Sequence, residues 1–227
     1  MPRASFQQLP EERRAQILAA AAEEFAANGY RGASYNQLLA RLGIGKSSAY
    51  HYFEDKADLF RTAVADTYTS WFRGVSGIAQ PKDCGEFWQF IFEVNLSGYQ
   101  FMLGNPTAAA LMQCAIREAA NLEQVLGADE VLNAVDQYHR MLLMMGQHLG
   151  AVRTDIPLER LSLLSRAVGA AEDQAFVREV RRDGAATVAT RLPTIAQELT
   201  DTLRRLFEAP VEQRRPKRGS TTKKFTK

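Results

Sequence analysis

Apolar residues recur at spacings of three and four from about residue 11 to residue 208, and strict alternation is scarce, so the pattern predicts an all-α chain. The periodic stretches are punctuated at Gly29, Gly43, Gly104 with Asn105-Pro106, Gly127, Asp155-Ile156-Pro157, Gly184 and Pro193. Each of these supplies a helix stop, an N-cap or a first-turn proline, and together they divide the chain into about nine helices.

The first sixty residues carry the most specific pattern. A helix from Pro10 to Asn28-Gly29 places Ile17, Ala21 and Phe25 on one stripe. Ser34 is the expected N-cap of a short helix, Tyr35 to Leu42, with Leu38, Leu39 and Leu42 as its apolar face. Gly43 permits the left-handed turn that ends it, Ile44 plugs the turn, and a third helix runs from Gly45 or Lys46 to Phe53. Two short helices joined by a glycine turn and braced by a longer one make a helix-turn-helix.

The third helix begins with Lys46, Ser47 and Ser48, a long cation and two small hydroxyls that can reach base edges in a major groove about 12 Å wide. Tyr50 and His51 follow one turn later, placed for phosphate oxygens or a thymine methyl. The N-terminal dipoles of the helices starting at Tyr35 and Lys56 favour phosphate, with Ser34 and Lys56 as side-chain donors.

The ungapped stretch from Ile17 to Phe60 resembles the DNA-binding domain of TetR-family transcriptional regulators. The markers are Phe25, Asn28-Gly29-Tyr30, Ser34, Leu38, Gly43-Ile44, Lys46, Tyr50-His51-Tyr52-Phe53, Lys56 and Leu59. The resemblance implies that Ser34, Tyr50, His51 and Lys56 meet the DNA backbone and that Lys46, Ser47 and Ser48 meet bases, and Tyr35 is a further candidate for DNA contact. It further implies a homodimer on a palindromic double-stranded operator, and a larger helical domain that binds a hydrophobic or amphipathic effector and releases the DNA. An architectural or partner-controlled DNA binder without a small ligand is the alternative. Leu39 and Leu42 stand where the family usually has Ala, and Ala49 where it has a large residue, which reads as a volume swap within one core. Gly45 replaces the usual Ser or Thr cap.

Three segments follow: 8–56 as the DNA-binding unit, 57–209 as the ligand-binding and dimerisation unit, and 210–227 as a basic, disordered tail. From Lys56 a long helix through Phe60, Val64, Tyr68, Trp71 and Phe72 links the first two. The stretch Cys84 to Leu103 is apolar over most of its circumference, apart from the stripe Glu86, Gln89, Glu93, Ser97 and Gln100. Asn95, about 200° from Glu93 around the helix, falls in the apolar arc, where an amide needs either a neighbouring helix or water, or a ligand to orient.

Between Asp129 and Leu149, the positions Val131, Val135, Tyr138, Leu142, Met145 and Leu149 form a seam. Met141, Met144 and Met145 suit either gap-filling or a tolerant pocket. Gln113 and Arg117, one turn apart, either grip a carboxylate or form a solvated face. The candidate pocket set is Trp88, Phe92, Asn95, Tyr99, Met112, Arg117, Tyr138, Met141 and Met145. The family's dimer pair corresponds to 157–182 and 194–208, making Leu161, Leu164, Val168, Ala171, Leu199, Leu203 and Leu206 the candidate interface.

Composition sharpens this in one respect. The 28 Lys+Arg and 26 Asp+Glu give a formal charge of only +2, which argues against a nucleic-acid binder until the charges are mapped. Residues 210–227 hold seven bases and one acid, leaving 21 bases and 25 acids on the body. The tail is either a solvated end or a non-specific DNA tether. No apolar run reaches the roughly 18 residues of a membrane span, and no secretory pattern opens the chain. Cys84 and Cys114 lack any ligand spacing and are expected as buried thiols in a reducing cytoplasm. Neither a metal nor a cofactor is implied. HExxH, GxSxG and glycine-rich phosphate loops are missing from the chain, and the three histidines are scattered, so an enzyme is not expected.

Overall fold

The computed structural model describes residues 2–122 and 131–211. Among them the chain forms eleven helices and no strand. They are α1 (Ala4–Gln7), α2 (Glu11–Gly32), α3 (Tyr35–Arg41), α4 (Lys46–Tyr52), α5 (Lys56–Val75), α6 (Cys84–Gly104), α7 (Pro106–Leu122), α8 (Val131–His148), α9 (Leu158–Asp183), α10 (Ala185–Ala189) and α11 (Leu192–Phe207). The single-turn α1 and α10 exceed the nine helices read from periodicity, because one turn is too short to show a period. The turn at Gly127 and all but the first residue pair of the tail lie outside the described residues.

Local signals behave as the sequence dictates. Gly29, Gly43 and Gly184 take φ of 67°, 64° and 83°, a region costly for any residue with a Cβ. Gly29 kinks the end of α2, and Gly43 makes the turn between α3 and α4. Ser34 caps α3 by accepting from the Gln37 amide, and Asp83 caps α6 by accepting from the amides of Gly85 and Glu86.

Three apolar clusters make the core. The first joins α1 to α4 with the N-terminal half of α5, from Ala57 to Tyr68, and also takes in Leu111, Cys114 and Ala115 of α7. The second gathers Val75, Phe87, Trp88, Ile91, Leu143, Val152, Leu161 and Phe207. The third holds Tyr99, Met102, Phe176, Val188, Ile195 and Leu199. Helix α5 therefore belongs to both units, and Trp71 packs against the first and second clusters alike. A boundary drawn at residue 56 cuts the sequence where the tertiary core is continuous. The expected volume swap has its counterpart in packing: Leu39 and Ala49 are both buried, at 4% and 1% exposure.

Candidate functional site

Helix α4 divides its residues by face. Ala49 and the C-cap Phe53 are buried inward, while Ser47, Ser48, Tyr50 and His51 are exposed outward, Tyr50 at 57%. This face is held from behind by an element that the sequence reading missed. The Arg3 amide donates to the Tyr52 carbonyl at 3.0 Å, the Ser5 hydroxyl donates to the His51 carbonyl, and Phe6 sets its ring 4.7 Å from that of Phe53. The only sequence signal for this brace was Phe6 itself, an isolated aromatic with no periodic neighbours.

The charges around α2 to α5 are largely spent on internal ties. Arg13 donates to the Leu42 carbonyl at 2.7 Å and Arg41 to the Ala20 carbonyl at 2.8 Å. Glu24 accepts from the Ser34 amide and from Asn28, both at 3.0 Å, clamping the start of α3 to α2. A near-neutral domain can thus keep its acids away from the exposed face of α4, which is why total charge is a poor guide.

Two expected DNA donors are placed elsewhere. The Lys56 ammonium donates to the carbonyls of Tyr30 at 2.8 Å and Ala33 at 3.1 Å and lies 4.7 Å from the centre of the Tyr30 ring. The α5 N-terminus is capped by the Asp55 carboxylate, which accepts from the Asp58 amide at 2.7 Å. An acidic cap satisfies the helix dipole from within, so this end is not the open phosphate seat expected from sequence. The Tyr35 hydroxyl is buried with no hydrogen-bond partner among the described residues, and its pKa is pushed up to about 12, first by burial and then by Tyr50. This hydroxyl is turned into the protein, although the residue is partly exposed. Lys56→Met is accordingly expected to cost about 1.5–3 kcal/mol of stability through loss of charge-assisted hydrogen bonds, measured by urea unfolding. An unchanged midpoint would remove the bracing role.

A second site lies in the larger unit, a cavity of about 310 Å³ walled by α5, α6, α7, α8, α9 and α11. Of the candidate pocket residues it brings together Trp88, Asn95, Tyr99, Met112 and Tyr138. Four others do not line it. Phe92 packs into the third cluster, Met145 against the second, Arg117 is exposed on α7, and Met141 is 52% exposed on the outside of α8. Asn95 donates to the Thr200 hydroxyl at 3.0 Å, so its partner is the neighbouring α11, although it also lines the cavity. Of the two roles open to Gln113 and Arg117, neither describes Gln113, which donates to the Asp173 backbone carbonyl at 3.0 Å, while Arg117 is exposed.

Residues that sequence reading did not assign complete the wall: Tyr68 and Trp71 from α5, His139 from α8, and Ser165, Arg166, Gly169 and Asp173 from α9. Ser165, Gly169 and Asp173 recur every fourth residue, a helical face that is visible only once the helix is known to border a void. His139 Nδ1 lies 3.0 Å from the Ser165 hydroxyl, and burial lowers its pKa to about 4, so the ring is neutral. Burial, reinforced by Glu172, raises the Asp173 carboxyl to about 7. The hydroxyls of Tyr99 and Tyr138 are buried without partners among the described residues.

The candidate dimer residues separate in the same way. Leu161 and Leu199 are buried within the protomer, while Val168 and Leu203 are partly buried against its clusters. The apolar side of α11 is spent on α6 and the cavity, and its outer side carries Gln197, Glu198, Arg204 and Arg205. Leu164, Ala171 and Leu206 remain exposed. Leu163 on α9 and Met141 and Met144 on α8 are each more than half exposed as well. Cys84, expected to be buried, is exposed in the first turn of α6, whereas Cys114 is buried. Among the described residues no helix is long and apolar enough to cross a membrane.

Residues 17–63 match the sequence model of the family described as bacterial regulatory proteins, tetR family. No curated protein matches the chain in sequence. In fold the chain is similar to a TetR family transcriptional regulator from Chloroflexus aurantiacus J-10-FL, with a TM-score of 0.62 and 21% identity over 92% of this chain and 99% of that one. A putative tetR family transcription regulator from Shewanella sp. PV-4 gives 0.67 at 16% identity, over 87% and 99%. The transcriptional regulator FadR from Bacillus subtilis, solved in complex with stearoyl-CoA, gives 0.66 at 17%, over 83% and 96%. Residues 17–63 thus carry the helix-turn-helix of the tetR regulatory family, set within a fold that the chain shares along most of its length with solved TetR-family regulators.

Proposed function

We propose that the protein is a dimeric repressor that leaves a palindromic operator when a small apolar or amphipathic ligand enters the cavity. The observation that carries this reading is the wiring of α7 and α5. On α7, Leu111, Cys114 and Ala115 belong to the DNA-binding core, while Met112 and Ile116 face the cavity. On α5, the residues from Ala57 to Val64 sit in that same core, while Tyr68 and Trp71 line the cavity. A ligand that prefers one placement of these two helices biases the DNA-reading unit by the same free energy.

The alternative of a DNA binder without a ligand calls for a cavity filled by Trp88, Phe92 and Tyr138. Trp88 and Tyr138 instead form its wall, and Phe92 packs elsewhere. That FadR holds stearoyl-CoA on a similar fold also favours the ligand reading. For the dimer, the exposed apolar side chains Leu163 and Leu164 of α9 and Met141 and Met144 of α8 are those whose burial would gain most.

In this reading Ser34, Lys46, Ser47, Ser48, Tyr50 and His51 meet the operator, with bases read by the α4 N-terminus and phosphates by the residues around it. Fluorescence anisotropy with the DNA upstream of the gene tests it. Ser48→Ala is expected to cost roughly 1 kcal/mol on the operator and less on unrelated DNA, while Tyr50→Ala weakens all sequences alike. Equal losses for both variants on every sequence would sink the division between base and phosphate contacts. Failure to find any salt-sensitive, sequence-selective complex would sink the operator reading itself.

A further inference from the structure

We propose that the cavity takes an elongated apolar ligand bearing one cationic, amine-type nitrogen, with the Asp173 carboxylate as its counter-ion. The proposal rests on the reading of this cavity as the effector site and adds the charge and class of the effector.

Aromatic and aliphatic side chains dominate the cavity wall, and among the described residues two formally charged side chains line it, Arg166 and Asp173. Arg166 has a shared counter-ion: its Nε lies 3.3 Å from Asp136 without a hydrogen bond of its own, and Asp136 also pairs with Arg140 at 3.8 Å and accepts from the Ser162 hydroxyl at 2.8 Å. Asp173 has none. Among the described residues no cation acts on its carboxyl, and the charge that does, Glu172, has the same sign. The Gln113 amide nearby is committed to the Asp173 backbone carbonyl and leaves the carboxyl oxygens unserved.

A carboxylate set in apolar surroundings without a partner is costly, and the cost is removed by a proton or by a ligand cation. An anionic ligand would meet repulsion at Asp173. A cation gains on both counts, because Tyr68, Trp71, Trp88 and Tyr99 offer the electron-rich ring faces that favour ammonium groups. The remaining wall suits a hydrocarbon body.

Binding a cation requires Asp173 ionised, whereas burial and Glu172 hold its pKa near 7 in the free protein. Affinity for an amine that stays charged should therefore rise about tenfold between pH 6 and pH 8. The groups around Asp173 do not confuse this window. His139 of α8, lowered to about 4, is neutral throughout, and the phenols of Tyr68, Tyr99 and Tyr138, raised by burial, stay protonated. Arg166 remains charged, α7 lines the wall with Met112 and Ile116, and α11 with Leu199, Leu203 and Phe207.

The test is isothermal titration of the full chain with three probes of one shape: 8-phenyloctylamine, 8-phenyloctanol and 8-phenyloctanoate. The amine is expected to bind at least tenfold more tightly than the alcohol at pH 8 and to lose that advantage at pH 6. In Asp173→Asn the amine should weaken at least tenfold and lose its pH dependence, while the alcohol changes by less than threefold and thereby reports an intact cavity. If that variant does not fold, the charge preference and pH profile of the natural protein still decide. Alcohol or carboxylate binding as tightly as the amine overturns the cation proposal and leaves the effector pocket standing. Binding of none of the three overturns the pocket reading, and the proposal with it.

Discussion

Phe53→Ala is expected to lose about 3–5 kcal/mol of stability and, with it, sequence-selective DNA binding. Phe53 caps α4 at 1% exposure, its amide donates to the Ala49 carbonyl at 2.9 Å, and its ring meets Phe6. Removing the ring opens a void between α1 and α4, the two elements that fix which way Ser47, Ser48 and Tyr50 face. Urea unfolding followed by a gel shift on the operator checks both parts. Phe53→Leu, which keeps most of the volume, should recover much of each. Full affinity in the alanine variant at an unchanged unfolding midpoint would mean that α4 is not positioned from its buried side.

The second large effect is expected at Gly146, in the last turn of α8. A Cβ there would stand 2.4 Å from Val152 Cγ2 and 2.6 Å from Phe87 Cζ, both on side chains that are 2% exposed. Glycine within a helix costs up to about 1 kcal/mol against alanine, and close packing is the reason on view for keeping it here. Gly146→Val is expected to destabilise by about 3 kcal/mol, at the upper end for overpacking, by thermal unfolding. The strain has one outlet, since both Phe87 and Val152 line the cavity and can move into it. A variant that stays folded should therefore bind 8-phenyloctanol more weakly than the natural protein. Undiminished stability together with undiminished binding would show that the α8 contact yields without cost.

Signals confined to a few residues were legible before the fold was known. Ser34 reads as a cap and Gly43 as a left-handed turn because the physics of each is settled within five residues of chain. The apolar arc of α6 and the odd amide within it, Asn95, could also be read, but Thr200 as its partner could not, because that contact joins residues 105 positions apart. The same limit explains Lys56. Sequence marks it as a cation at a helix start, a phosphate donor by type, and only the approach of the α2 C-terminus turns its ammonium onto two carbonyls.

Helical periodicity reports that a side is apolar without reporting what covers it. Leu161, Leu199 and Leu203 were candidates for a dimer seam, whereas the protomer buries Leu161 of α9 and Leu199 of α11 and partly buries Leu203. Leu163 and Met144, which no seam singled out, emerge as exposed once those sides are covered. Asp173 is the sharpest case. In the sequence it is one acid beside another on a polar stretch, and nothing within one turn distinguishes it from a solvated residue.

By itself, then, the sequence determined the helical class, the helix-turn-helix and the residues its reading helix presents, because caps, turns and amphipathic period are local properties of the chain. Tertiary structure alone decided which apolar faces meet, which charges are consumed in bracing, and that a void remains whose wall holds a carboxylate with no cationic partner among the described residues. Those outcomes depend on volumes and distances between elements far apart in the chain, and no local pattern encodes them.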